Sequence, residues 1–170
     1  DRIIEIGACR LHSDDVFNMI IYPGKKVRLH SKVLELTGIT EEMVKNGTSL
    51  YHGLTSFIDF VGKTAILVAH NNDNFDQKFL EESFTVTGLK LPTTWRFMDT
   101  YRIAQRLHPP GSTKYGLSNL ADKYGVTSLP THRALQDSLC LKLVYQRMIA
   151  MDPVTLYRTC RRNEFNLLYL

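Results

Sequence analysis

The chain has 170 residues, of which 44% are apolar, and this is enough for one compact domain with a sizeable core. Its 21 Lys and Arg residues against 17 Asp and Glu give a net charge of +4, which permits a polyanionic partner without requiring one. Three widely spaced cysteines argue against a disulfide framework or a zinc cluster. No run approaches the roughly eighteen apolar residues of a membrane span, and no signal-peptide pattern opens the chain. We therefore expect a soluble, intracellular protein of the cytoplasm or nucleus.

The first part of the chain predicts a hairpin followed by helices. Residues 2–11 and 16–22 are apolar runs on either side of a polar turn, which is typical of antiparallel strands. Short helices are predicted over 31–36 and after Thr40, whose hydroxyl precedes two acidic residues. Apolar residues three and four apart over 50–61 predict an amphipathic helix that covers a sheet.

A buried strand and a helical second half follow. Residues 64–69 form a continuous apolar run, as expected for a strand buried on both faces. The remaining pattern predicts a helix, a short strand and three further helices, over 74–83, 95–99, 100–107, 117–124 and 134–148. Strands first and helices later favour an α/β or α+β layer fold. We assign residues 1–150 to one domain and residues 151–170 to its C-terminal helical extension.

Two polar motifs carry the candidate chemistry. Asp76 follows the 64–69 strand, and His132 precedes Asp137 by five residues. Carboxylate oxygens are hard ligands that suit Mg²⁺ or Mn²⁺, and two such ions about 3.5 to 4 Å apart stabilise both oxygens of a phosphoryl displacement. A histidine titrates near neutral pH, so His132 suits the general base that deprotonates water.

Each of these residues also has an ordinary structural interpretation. Taken alone, Asp76 is more often a helix N-cap or a turn residue, Asp137 a solvated helix carboxylate, and His132 a partly exposed structural histidine. His70 and Asn71 are explained by hydrogen bonds to loop backbone groups. Only the joint spacing of the two motifs favours a metal site.

Five segments, in this order, resemble the successive blocks of the DEDDh (DnaQ-like) 3′-to-5′ exonucleases: residues 2–8, 36–40, 69–76, 98–100 and 132–137. This family includes the proofreading subunit of bacterial DNA polymerase III and the TREX-type repair exonucleases. The six-residue step from His70 to Asp76 is similar to the TREX-type branch. The resemblance implies a ribonuclease-H-like α/β fold with a mixed central sheet flanked by helices. It also implies release of nucleoside 5′-monophosphates from DNA or RNA with two Mg²⁺ or Mn²⁺ ions.

The resemblance also implies roles for particular residues. Asp76 and Asp137 match metal ligands, and His132 matches the general base. Substrate contacts are implied at four positions: Thr37, Gly38, Ile39 and Asn71. A plain helix-to-helix turn is the alternative for the first three. The implied partners are single-stranded nucleic acid or 3′ ends of duplexes, and a homodimer is one candidate assembly. Basic residues at 114, 133, 158, 161 and 162 are candidate phosphate contacts or solvated charges.

One family motif is absent from these residues. Family members carry an Asp-x-Glu on a strand upstream of the block that begins here at Asp1, and those carboxylates help to hold both metals. Neither Asp1 nor Glu5 has the required spacing. Because that central strand pairs with both the 2–11 and 64–69 runs, its loss would leave backbone groups unpaired at about 1 to 3 kcal/mol each. We therefore expect the strand to lie outside these residues. The alternative is a catalytically inactive module that binds nucleic acid or acts as a scaffold.

Overall fold

The computed structural model describes residues 2–25, 27, 29–111, 113–127, 130–151 and 153–154, except for the side chain of Asn74. Five strands, seven α-helices and one 3₁₀ turn occur in this part of the chain. The strands are β1 (Glu5–Cys9), β2 (Val16–Tyr22), β3 (Thr48–Ser49), β4 (Ala65–Ala69) and β5 (Trp95–Asp99). The helices are α1 (Ser31–Thr37), α2 (Glu41–Lys45), α3 (Leu50–Val61), α4 (Asp76–Thr87), α5 (Thr100–Leu107), α6 (Leu117–Lys123) and α7 (Ala134–Met151).

The predicted hairpin is present. Strands β1 and β2 pair antiparallel with Glu5 opposite Ile20 and Cys9 opposite Val16. The end of β2 also pairs in parallel with β3, which is too short at two residues to have produced a periodic signal. Together these strands form a three-stranded sheet in the order β1-β2-β3.

Strands β4 and β5 form a second, two-stranded parallel sheet, with Ala65 opposite Trp95 and Ala69 opposite Asp99. In the described part of the chain, no backbone ladder joins this sheet to the hairpin sheet. The α/β class is thus confirmed, while the expected mixed sheet consists of two pieces. Only Ala65 of β4 is buried, and the other four residues of the strand are half-buried.

Two hydrophobic cores lie around β4. Ile66 and Val68 pack against a core formed mainly by α5, α6 and α7. Ala65 and Leu67 belong to the other core, which contains residues of the hairpin, α3 and α4. Alternate residues of a strand point to opposite faces, so this division follows directly from the pleat. The amphipathic helix predicted over 50–61 is confirmed as α3, whose buried face contains Leu54, Phe57 and Val61.

The helix boundaries differ from the predicted ones at a few points. Helix α4 begins at Asp76 rather than at 74, because residues 72–74 form a 3₁₀ turn. Helix α7 continues to Met151, while the further helix expected through the basic residues 158, 161 and 162 lies outside the described residues. None of the described helices combines the length and apolar character needed to cross a bilayer.

Candidate active site

The candidate site lies where the parallel strands β4 and β5 end side by side, at Ala69 and Asp99. The carboxyl ends of parallel strands are where α/β folds place their ligands, because the connecting loops and helix N-termini converge there. The loop after β4 carries the 70–76 motif, and α5 begins directly after β5.

Asp99 holds the loop that leads to Asp76. One carboxylate oxygen of Asp99, Oδ1, accepts the backbone N–H of Asn71 at 2.8 Å and that of Tyr101 at 2.9 Å. The other, Oδ2, accepts the N–H of Asp73 at 3.4 Å. Asp99 is only 8% exposed, and Asn71 has a left-handed backbone with φ of 61°. The carboxylate thus fixes an unfavourable loop conformation by satisfying its amides.

Asp99 is not among the site residues that the sequence predicts. A signal was available, since an Asp directly before a helix beginning at Thr100 is a standard N-cap. The bond to Tyr101 is that cap, whereas the bonds to Asn71 and Asp73 join segments that are 28 and 26 residues away.

His70 takes part in the packing of the same loop. Its Nδ1 lies 2.9 Å from Thr100 Oγ1, and that hydroxyl donates to the Ala69 carbonyl at 3.1 Å. Since the hydroxyl proton is used, Nδ1 carries the proton donated to Thr100. Burial lowers the pKa of His70, only partly offset by the nearby Tyr115 backbone and the Asp99 charge. The buried Nε2 makes no hydrogen bond of ordinary geometry with any described group. The ring thus contributes to the hydrogen bonding and packing of the loop.

Asp76 is the first residue of α4 and bears an unusual carboxyl group. Desolvation by the surrounding protein raises its pKa to about 6. A hydrogen bond from its own backbone opposes this shift, and the nearby Asp99 charge adds a smaller raising effect. The residue nevertheless keeps an exposed surface. Among the described residues no cation pairs with Asp76, whereas Asp73 pairs with Arg102. Asp76 is thus a carboxylate without a positive partner in the part of the chain that the structure describes.

Asp137 and His132 lie together at the start of α7. The Oδ1 atom of Asp137 accepts the backbone N–H of Thr131 at 2.8 Å and that of His132 at 3.1 Å. His132 is exposed and has a left-handed backbone with φ of 60°, which is rare for a residue other than glycine. The Asp137 carboxylate therefore orders the backbone of His132. Within the described part of the chain, no group of three or more His, Cys, Asp or Glu side chains is close enough to hold a metal.

Arg133 differs from its predicted role. Its guanidinium forms an ion pair with Glu5 at 2.8 Å, so the basic residue considered a phosphate contact or a solvated charge is held by β1. Hydrogen bonding to Glu5 raises the pKa of Arg133 further. The two residues are 128 positions apart, so no local pattern could have indicated this pair.

The turn at Thr37, Gly38 and Ile39 is a helix-to-helix turn. Gly38 ends α1 with a left-handed φ of 65°, and Thr37 Oγ1 accepts the N–H of Ile39 at 3.1 Å. Ile39 is 1% exposed, so its side chain is packed inside the protein and offers no surface to a nucleotide in this conformation. The role of Ile39 as an apolar substrate contact stays a prediction, and the residue of this turn that is exposed to solvent is Gly38.

Comparison with known proteins gives a consistent assignment. A family model described as exonuclease matches residues 1–145. Over 150 residues the chain is 31% identical to PolC-type DNA polymerase III from Staphylococcus epidermidis and from Staphylococcus aureus. These alignments cover 88% of this chain but 10% of each polymerase, so the chain spans about a tenth of the length of these relatives.

Solved structures share the fold. A 3′-exonuclease that recognises the 3′ end of the histone mRNA stem-loop superimposes with a TM-score of 0.75 at 21% identity, over 87% of this chain and 56% of that one. Exonuclease I of E. coli in complex with a dA16 oligonucleotide gives a TM-score of 0.72 at 14% identity, over 87% and 36% of the two chains. From the family model, the relatives and the shared fold, we conclude that the chain belongs to the DEDDh (DnaQ-like) 3′-to-5′ exonuclease family.

Proposed function

We propose that this chain is a metal-dependent 3′-to-5′ exonuclease domain that hydrolyses phosphodiester bonds of DNA or RNA to nucleoside 5′-monophosphates. The observation that carries the proposal is the state of Asp76. Its carboxyl is desolvated at the ends of two parallel strands, its pKa is raised to about 6, and no described cation neutralises it. A carboxylate in this state gains most from a bound cation, which family membership supports.

The donor set fits Mg²⁺ or Mn²⁺. Asp76 and Asp137 offer hard oxygen donors, and because Asp137 Oδ1 accepts two backbone amides, Oδ2 is the atom that a cation would use. Two bound ions would supply stabilisation of the charge on the attacking and leaving oxygens. Two carboxylates are too few for such a site, so further ligands are required from outside the described residues.

His132 is proposed to take the proton of the attacking water. Its imidazole is on an exposed loop, and two hydrogen bonds to Asp137 restrain the adjacent backbone. A neutral imidazole can accept a proton near physiological pH and release it to solvent after the bond is cleaved. The products are a nucleoside 5′-monophosphate and a strand with a new 3′ hydroxyl.

The missing ligands are proposed to come from a strand between β1 and β4. Ile4 O accepts the N–H of Ile21, and Arg10 N–H donates to Asp15 O, so the even-numbered residues of β1 face β2. The odd-numbered residues, 5, 7 and 9, therefore direct their backbone groups to the opposite edge. As far as the chain is described, strand β4 likewise has a ladder on one side only, the β5 side. A strand bearing Asp-x-Glu, from outside these residues, would satisfy both edges and complete the carboxylate set.

The substrate is proposed to be single-stranded nucleic acid or the 3′ end of a duplex. Asn71, beside the site, and the Thr37–Gly38–Ile39 turn are the proposed nucleotide contacts, the latter through the exposed Gly38 backbone. A bare backbone at a glycine allows close approach of a sugar or base.

The proposal is tested by comparing this chain with a version extended upstream by the Asp-x-Glu strand. Each is incubated with 3′-labelled single-stranded DNA and RNA in the presence of Mg²⁺ or Mn²⁺. His132→Ala is made in both versions, and His52→Ala, which removes an exposed histidine of α3, serves as the matched control.

Release of labelled mononucleotide by the extended protein, retained in His52→Ala and lost in His132→Ala, is the expected result. Binding of nucleic acid without cleavage by the extended protein would instead favour the inactive module. Cleavage that survives His132→Ala would refute the assignment of the base.

A further inference from the structure

The segment before α7 is held by two carboxylates from different parts of the chain. Asp137, which follows this segment in the chain, accepts the N–H groups of Thr131 and His132. Glu5, from β1, binds the next two residues. Its Oε2 accepts the N–H of Ala134 at 2.8 Å, and its Oε1 accepts Nη2 of Arg133 at 2.8 Å. His132 thus lies directly between two anchored stretches of backbone.

The Glu5 anchor is well built. Arg133 Nε lies 3.1 and 3.2 Å from the two carboxylate oxygens, so the guanidinium engages both. The Glu5 side chain is 5% exposed and that of Arg133 27%. Hydrogen bonds between charged groups are roughly twice as strong as neutral ones, and a buried charge that loses its partner is costly. Glu5 therefore restrains the positions of Arg133 and Ala134 tightly.

The backbone of β1 also lies close to the first turn of α7. A Cβ built on Gly7 would lie 2.2 Å from Leu135 N, so the first turn of α7 rests directly on the β1 backbone. Ser138 Oγ donates to the Gly7 carbonyl at 3.0 Å. Glu5 and Gly7 of β1 thus both hold the start of α7. Of the two, Glu5 contacts the residues next to His132.

His132 needs such support because of its backbone. A non-glycine residue in the left-handed region is energetically unfavourable and persists only where its surroundings enforce it. The Asp137 bonds act on the N-terminal side of His132, at its own amide and that of Thr131, while Glu5 acts on the residues after it.

We propose that Glu5 is a positioning residue for His132: through Arg133 and the Ala134 amide it holds the 131–134 segment in the conformation that presents the imidazole. This inference rests on the proposed function, because His132 matters as the base of that reaction. The restraint itself is a property of the chain and can be measured without nuclease activity.

The test uses Glu5→Gln, which keeps the shape of the side chain but removes its charge, and the milder Arg133→Lys. Lys142→Met is the matched control, because Lys142 Nζ also ties α7 to the hairpin, at the Ser13 carbonyl, 2.7 Å away and further along the helix. Amide hydrogen exchange at residues 131 and 132 is followed by NMR. In the upstream-extended protein, kcat and KM are measured in parallel.

We expect protection of the His132 amide to fall by about tenfold or more in Glu5→Gln, to fall less in Arg133→Lys, and to stay unchanged in Lys142→Met. In the extended protein, kcat of Glu5→Gln is expected to fall by about tenfold with KM within about twofold. Unchanged protection in both Glu5→Gln and Arg133→Lys, or an equal loss in Lys142→Met, overturns the inference. If no variant cleaves nucleic acid, the proposed function fails, while the exchange data still decide the role of Glu5.

Discussion

Asp76→Asn is expected to stabilise the metal-free protein, and to do so only above the pH at which the carboxyl ionises. Burial raises the pKa of Asp76 from 3.8 to about 6. The folded state therefore holds the Asp76 proton more tightly than the unfolded state. The favourable contribution of the protonated group is complete below pH 3.8 and is lost as the pH rises through 6. Asparagine carries no such charge, so the variant avoids this loss.

The size of the effect follows from the same shift. A pKa change from 3.8 to about 6 corresponds to at most about 3 kcal/mol of free energy of unfolding. Because the residue keeps an exposed surface, solvent screens the charge, and a helix N-terminus also favours an ionised carboxylate. We therefore expect Asp76→Asn to gain about 1 kcal/mol at pH 7.5 and almost nothing near pH 4.

Urea denaturation in EDTA, followed by Trp95 fluorescence at several pH values, measures this difference. Trp95 is the only tryptophan and is 4% exposed against Phe57 and Phe84, so its emission reports loss of the core. Asp59→Asn, an exposed carboxylate of α3, is the matched control. A stability difference between Asp76→Asn and the parent that stays constant or shrinks from pH 4 to 7.5 would refute the reasoning.

Three further predictions concern the packing around the site. Gly7→Ala should lower the free energy of unfolding by about 2 kcal/mol or more, because the added Cβ would overlap the α7 backbone. Gly116→Ala is the control: the nearest atom to its added Cβ is a side-chain atom at 3.2 Å, so the free energy of unfolding should change by about 0.5 kcal/mol or less. Thermal melting of both variants tests this. Asp99→Ala should destabilise by about 3 kcal/mol in urea titrations, because three backbone N–H groups lose a buried acceptor. Burial raises the pKa of the Cys9 and Cys140 thiols, so in a variant without the third cysteine a disulfide reagent should react slowly until the protein unfolds, and rapid labelling would contradict this.

Elements with a clear local period could be predicted from the sequence. The 50–61 helix, the 95–99 strand and the second hairpin strand appear with the expected bounds, whereas the first hairpin strand covers 5–9 rather than 2–11. Their apolar residues recur at intervals that only one type of element can place on a single face. Strand β3 was missed because two residues establish no period.

The contacts that shape the site could not be predicted in the same way. Glu5 and Arg133 are brought together by the fold, and either residue alone reads as an ordinary surface charge. The burial of Ile39 could not be predicted from local sequence either. An apolar residue after a turn glycine suits a ligand contact and a core position equally, and the structure places it in the interior. Local patterns predict elements, whereas only the fold shows which faces remain open.

The division of β4 between two cores has a consequence for cooperativity. Residues 65 and 67 pack in one core and residues 66 and 68 pack against the other, so a single five-residue strand contributes side chains to both cores. If one core loses its packing, β4 is exposed to solvent on that face, and the other core then loses the support of the same strand. The two cores are therefore expected to melt as a single unit, and a substitution deep in one of them will weaken the other at a distance.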